Sequence, residues 1–232
     1  MRSPRLSGAF TLILLLIMCV LVPGVALAAT PAERIVAGGM PECLHIGDTA
    51  EALVAFESEN TGSAIEFSVR SEIGAVRASP DHVQVQGTPA AVTLWGNVFG
   101  EDSVTLSAPA RPDLAPITAK ISILPSIEPP RGVAAYPSEV TLPAFEGVEE
   151  SGPYRIVVLT WWAKIGAKAY GIQVFDGERR EIIRSIVSGG YSSFLAHVKP
   201  GGSYIWQIKA QIGTCAGGEL WTPYSPLVPF DA

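Results

Sequence analysis

The sequence predicts an all-β chain built as two tandem sandwiches, and three observations carry that prediction. From residue 34 onward, apolar residues recur at every second position, the period of a strand with one face buried. Gly (23) and Pro (19) are plentiful in 232 residues and follow no repeat, which suits many short strands joined by tight turns. A segment holding four prolines, PSIEPPRGVAAYPSE at 125–139, interrupts the alternation once, near the middle. No stretch of a dozen residues has helical periodicity.

The first element is a leader. MRSPR supplies positive charge, GAFTLILLLIMCVLV an apolar run, and PGVALA the helix breakers and small residues of a cleavage site. Ala26 and Ala28 fit the small-x-small rule, so residues 1–28 read as a signal peptide cut after Ala28. The alternative is an uncleaved N-terminal membrane anchor, since residues 8–29 carry no charge and are just long enough to span a bilayer. Cys19 does not make a lipidation site, because the large Met18 precedes it. The mature chain is thus expected to be secreted, periplasmic or cell-surface, and to meet an oxidising compartment with two cysteines, Cys43 and Cys215.

The strands follow in order. TAEALVAF sets Ala50, Ala52, Val54 and Phe56 on one side; AIEFSVR does so with Ile65, Phe67 and Val69. DSVTLSA contributes Val104, Leu106 and Ala108, and ITAKISI contributes Ile117, Ala119, Ile121 and Ile123. IGDT, ENTGS, SPD and RPD between them are turn clusters. The prolines then make a short, stiff linker at 125–131, because proline removes ladder donors and favours extended backbone. The alternation resumes for about another hundred residues. Two sandwiches, 34–124 and 132–230, fit this spacing better than one large barrel.

VVLTWWAKIGAKAYGIQVFDG, VKPGGSYIWQIKA and ELWTPYS resemble the bacterial fibronectin type III domain. Val157, Leu159 and Trp161 match its second strand, with Gly166-Ala167 in the following loop. Tyr170, Ile172 and Val174 match the third strand; Pro200-Gly201 with Tyr204, Trp206, Ile208 and Ala210 match the sixth. Trp221 sits where the family often carries a Trp-Ser pair. The resemblance covers about 132–230 and implies that Tyr204 is a structural corner whose hydroxyl bonds nearby backbone. The first half, through LHIGDTAEALVAF, GTPAAVTLWG and DSVTLSA, more loosely resembles a bacterial immunoglobulin-like domain. The expected fold is therefore two tandem immunoglobulin-like/fibronectin type III β-sandwiches after a signal peptide. In the type III topology the loop holding Cys215 shares a pole with the domain's N-terminus, and Cys43 precedes a turn expected at the facing pole of the first domain. The resemblance thus implies that Cys43 and Cys215 can meet in an interdomain disulfide; free thiols or intermolecular pairing are the alternatives.

Chemistry is sparse. A net charge of −6 and scattered basic residues exclude a nucleic-acid binder. No GxSxG, GxxxxGK or HExxH occurs, so no catalytic residue is assigned, and no cofactor is called for. Cys43 and His45 could give two zinc ligands, but nothing supplies the remaining two, so no metal is expected. EGVEE at 146–150 reads as a solvated turn, and Asp176-Gly177 as a hairpin turn. Trp162 is left over, because Trp161 holds the core parity and turns Trp162 outward; Trp95 poses the same question beside Val92 and Leu94. Burial against a neighbouring domain or loop would be the plain explanation, and a binding anchor the functional one. Tyr191 and Tyr224 are weaker candidates.

These features imply an exported, non-enzymatic binding, adhesion or spacer module of the cell envelope. Its expected partner is an envelope protein or surface polysaccharide, with no membrane span after cleavage. One alternative is a carbohydrate-binding accessory module using Trp162, Trp95 and Trp221. Another is a periplasmic assembly chaperone, against which the acidic charge and the lack of a basic cleft speak.

Overall fold

The computed structural model describes residues 33–58, 64–142 and 153–232. The leader at 1–28, with its alternative as an anchor, and the acidic run at 146–150 lie outside them. Among the described residues no helix is long and apolar enough to cross a membrane.

The first sandwich begins with β1 (Arg34–Gly38), β2 (Cys43–His45), β3 (Thr49–Glu57) and β4 (Ile65–Ser71). It continues through β5 (Val76–Ser79), β6 (His82–Val85), β7 (Ala90–Gly96), β8 (Gly100–Ser107) and β9 (Ile117–Leu124). One sheet runs β1-β3-β7-β5 and the other β2-β9-β8-β4-β6. β2 is parallel to β9, and the remaining pairs are antiparallel. After β4 the chain crosses to add β5 to the edge of β7, then returns through the cis Ser79–Pro80 peptide to add β6 to β4. Val54, Phe67, Leu94, Leu106 and Ile121 meet between the sheets, fully buried. They occupy the alternate positions that the pleat directs inward.

The second sandwich contains β10 (Ala134–Leu142), β11 (Tyr154–Thr160), β12 (Ala169–Phe175), β13 (Glu181–Ser188) and β14 (Ser193–Val198). β15 (Ser203–Gly213), β16 (Glu219–Trp221) and β17 (Val228–Asp231) complete it. A three-stranded sheet, β10-β11-β14, faces a sheet ordered β13-β12-β15, with β16 and β17 sharing the far edge of β15. Pro137 is tolerated because β10 is an edge strand whose register shifts between Pro137 and Thr141. Trp206, Tyr170, Ile172, Ile208 and Leu159 form a core separate from the first. Trp161 packs tilted against Tyr170 and Trp206, with centroids 5.1 and 6.5 Å apart.

Two local devices shape these strands. Gly201 takes φ +76° in the turn before β15, and the Tyr204 hydroxyl donates to the Lys199 carbonyl at 2.8 Å, closing the corner. Between β16 and β17, where Pro223 and Pro226 have no N–H to donate, Thr222 and Ser225 complete the edge of β15. Thr222 Oγ1 accepts from the Ala210 amide (3.0 Å) and Ser225 Oγ from the Ile208 amide (3.1 Å). The Thr222 and Ser225 amides donate to the carbonyls of the same two residues. A segment with two prolines thereby still leaves β15 satisfied.

In the first sandwich Asp102 on β8 is buried, and its carboxylate organises the loop after β4. It accepts from Ser71 Oγ (2.5 Å) and from the amides of Val76 (2.8 Å), Ser103 (2.8 Å), Glu72 (3.1 Å) and Ile73 (3.2 Å). Burial pushes its pKa up, but the Ser71 hydroxyl and the Val76, Ile73 and Ser103 amides outweigh that and hold it below its ordinary 3.8.

Tyr204→Phe is expected to lower stability by about 1 kcal/mol in urea titration, the worth of one hydrogen bond. Because the folded pKa of Asp102 is depressed, its contribution is complete above the unfolded value and disappears as pH falls through the folded one. Asp102→Asn should therefore destabilise at neutral pH and flatten the loss of stability below about pH 4, measured by urea unfolding across pH 2–7.

Candidate functional site: the domain junction and the sheet faces beside it

The two sandwiches meet where β9 ends. Cys43 in the three-residue edge strand β2 is joined by a disulfide to Cys215, in the loop between β15 and β16, with Cα atoms 5.5 Å apart and 172 residues of sequence separation. Two residues on, His45 is buried, and its Nδ1 donates to the Pro125 carbonyl at 2.7 Å, holding the start of the linker against the first domain. The linker's other end is held by the second domain. Lys164 Nζ donates to the Glu128 carbonyl (2.8 Å) and the Trp162 amide to the Arg131 carbonyl (2.9 Å). Burial lowers the Lys164 pKa, Glu128 opposes this and Arg131 adds to it. Between these anchors the loop after β11 touches Pro125 and Phe99 directly at Gly166. A Cβ there would lie 2.6 Å from Pro125 Cγ and 3.0 Å from Phe99 Cε2, and φ is +75°. Only glycine fits this approach without displacing the neighbouring domain.

The two residues weighed as zinc ligands, Cys43 and His45, have other partners: Cys43 is held in the disulfide and His45 faces the Pro125 carbonyl. Among the described residues, no cluster of three or more His, Cys, Asp or Glu is placed to hold a metal ion. The turn at Asp176 also differs from the two-residue Asp-Gly hairpin. Arg179, not Gly177, takes the left-handed conformation (φ 63°). The Asp176 carboxylate accepts from the Glu178 and Arg180 amides, both at 2.9 Å, making a longer loop ordered by an acid that sequence spacing does not distinguish.

The three tryptophans singled out in the sequence lie apart, Trp95 and Trp221 in strands of different sheets and Trp162 just after β11. Trp95 is half-buried on β7, opposite Thr49 and Arg77. Trp221 on β16 is engaged by its own domain: Lys209 Nζ sits 4.9 Å from its ring centroid and 4.7 Å from that of Tyr224. The same outer face carries a polar chain in which Arg184 pairs with Glu181, Gln173 donates to Glu181, and Gln207 donates to Gln173. Trp162 differs, being 71 % exposed. Among the described residues no ring contact joins any two of the three.

Trp162 continues the outer parity of β11, and the register fixes what shares that face. Tyr136, Val158 and Leu195 form one row across β10, β11 and β14; Ala134, Thr160 and Ser193 form the next, towards the junction. Beyond them Trp162 lies over Gly132. A Cβ built on Gly132 would stand 2.5 Å from both Cγ and Nε1 of the indole and slightly nearer Cδ1. A point almost equidistant from three atoms of the five-membered ring is above its face, not beside its edge. The indole therefore lies flat on the Gly132 backbone, whose φ of +64° and missing Cβ make room for it, with its other face turned to solvent.

No family model matches this chain, and no curated protein matches it. Among solved structures, a segment of two fibronectin type III domains from chicken tenascin is similar at 14 % identity, covering 86 % of this chain and 99 % of that one with a TM-score of 0.40. The D0-D1 domain of intimin is similar at 10 % identity, covering 85 % and 98 %, with a TM-score of 0.34. The immunoglobulin-like class rests on strand order and register: in each sandwich, two facing sheets of largely antiparallel strands are connected across the core.

Replacing both cysteines, Cys43→Ser with Cys215→Ser, is expected to lower the stability of the oxidised chain by up to about 5 kcal/mol, the loop-closure entropy returned to the unfolded state. Urea unfolding should show an earlier midpoint, with strand content by circular dichroism unchanged in the folded state.

Proposed function

We propose that the chain is an exported, non-enzymatic module of the cell envelope or extracellular space that holds a binding surface of its second domain at a fixed angle to its first. The observation that carries this reading is the disulfide across the junction. Such bonds persist in oxidising compartments, which fits the leader expected from the sequence. A bond closing 172 residues between two separately cored sandwiches restricts their relative motion, whereas linked domains move by default. Restricting that motion is useful for spacing and presentation, since a preorganised surface loses less entropy on binding. Envelope proteins and surface polysaccharides are the partners proposed. Trp162, flat and open beside the junction, favours the carbohydrate-binding alternative over one that uses Trp95 or Trp221, which are half-buried or engaged by Lys209.

Thiol alkylation of intact native cells, followed by fractionation, tests export and oxidation together. The protein should appear in the periplasmic, surface or medium fraction and take up two alkyl groups only after reduction. Recovery from the cytosol with both thiols alkylated would overturn the reading.

A further inference from the structure

We propose that the solvent face of the β10-β11-β14 sheet is a binding site for an uncharged, ribbon-like glycan, with Trp162 as its stacking platform. This rests on the reading of the chain as an exported binding module and supplies the ligand class and the place.

The relief of the face is the first argument. Ala134, Thr160 and Ser193 are small, and they lie between Trp162 on one side and the Tyr136–Val158–Leu195 row on the other. Two residues of strand separate neighbouring rows, about 7 Å, and two strand spacings give the middle row a length of about 10 Å. The small row is thus a shallow trough crossing three strands, with Trp162 over Gly132 at one margin and Tyr136, Val158 and Leu195 along the other. Tyr136 and Leu195 on one margin are 60 % and 57 % exposed. A trough of this length receives about two pyranose units of an extended chain.

Charge is the second argument. None of these seven residues carries a charged side chain, in a protein whose net charge is −6. The opposite face of the same domain is different: it carries the Arg184–Glu181–Gln173–Gln207 chain and Lys209 between Trp221 and Tyr224. An anionic polymer finds no cation among these seven residues and a cationic one no carboxylate, and Arg131, beside Gly132, is paired with Glu128. A neutral ligand is the one whose desolvation this face does not penalise.

Trp162 forms the platform. Sugar rings with equatorial substituents present flat patches of C–H groups, which pack on an aromatic face, and hydroxyl edges, which need hydrogen-bond partners. Trp162 supplies one open indole face, already held flat by Gly132 and so needing little ordering on binding. Thr160 and Ser193 supply hydroxyls that both donate and accept along the floor. Aromatic surface combined with uncharged hydroxyls is complementary to a glycan chain. An apolar protein partner would bury those hydroxyls without matching them.

The disulfide-bonded mature chain, labelled with 15N, should be titrated with cellohexaose and with chitohexaose, using oligogalacturonate as the anionic control. Saturable amide shifts confined to β10, β11, β14 and Gly132 are expected with at least one neutral hexasaccharide, and none with the control. Trp162→Ala should weaken binding at least tenfold. Gly132→Ala, which keeps the indole but tilts it off the backbone, should weaken it severalfold. Ile186→Ser, on the opposite sheet, should leave affinity unchanged and reports any general loss of fold. Absence of binding to both neutral hexasaccharides at millimolar concentration would overturn the proposal. So would shifts mapping to another face, affinity indifferent to Trp162→Ala, or concentration-dependent shifts without sugar that mark this face as a contact between two copies. None of these outcomes bears on the thiol state or fractionation that test export, so the two readings can fail separately.

Discussion

One covalent bond governs how the two halves of this chain relate. Cys43 belongs to a strand of three residues at the edge of its sheet, and Cys215 to the short loop between β15 and β16. Neither element has many ladder bonds of its own, yet each occupies the pole that faces the other domain. Noncovalent anchors around them act mainly on the linker: His45 fixes where it leaves the first sandwich, Lys164 and Trp162 fix where it enters the second. Proline stiffness limits bending within the linker but leaves the rotation of one sandwich about it open. The disulfide, placed away from the linker, constrains that rotation, and Gly166 lets the loop after β11 come close enough for the bond to form.

The junction also orients the sheet faces of the second domain. Its two outer faces solve the problem of exposed sheet surface in opposite ways. The face over β12, β13 and β15 satisfies itself, with a carboxylate between arginine and amide groups and a lysine between two aromatic rings. On the face over β10, β11 and β14 the largest of the row residues, Trp162, spends only one side of its ring on the protein. Exposed aromatic surface of this kind is where binding energy concentrates when a partner arrives. Its position at the junction end of the sheet sets it at a constant orientation to the first domain.

Much of the fold was legible in the residues because its determinants are local. Alternation placed Val54, Phe67, Leu106 and Ile121 inward, and Pro200-Gly201 followed by Tyr204 marked the corner that the hydroxyl bond to Lys199 closes. Cys43 and Cys215 became legible only through a topology, since nothing in their spacing indicates pairing across 172 residues. Other features depend on neighbours remote in sequence and left no local trace. Asp102 looks like any strand acid until the loop after β4 folds its amides over it. Trp221, a stacking candidate in the carbohydrate alternative, has Lys209 over its ring, a neighbour no local pattern indicates. The Asp176-Gly177 pair carried a turn signal, but the acid's bonds to Glu178 and Arg180 lengthened the loop and moved the left-handed residue to Arg179. The trough beside Trp162 combines strands that begin at residues 134, 154 and 193, so register alone assembles it.

The constraint at the junction can be measured directly with residual dipolar couplings of the oxidised mature chain in a dilute aligned medium. If the disulfide fixes the domains, amides of both sandwiches should fit one alignment tensor. The Cys43→Ser/Cys215→Ser chain should instead need two tensors of different magnitude, as each domain averages its own orientation. Two unequal tensors in the oxidised protein, or a single shared tensor that survives loss of both cysteines, would contradict the role assigned to this bond.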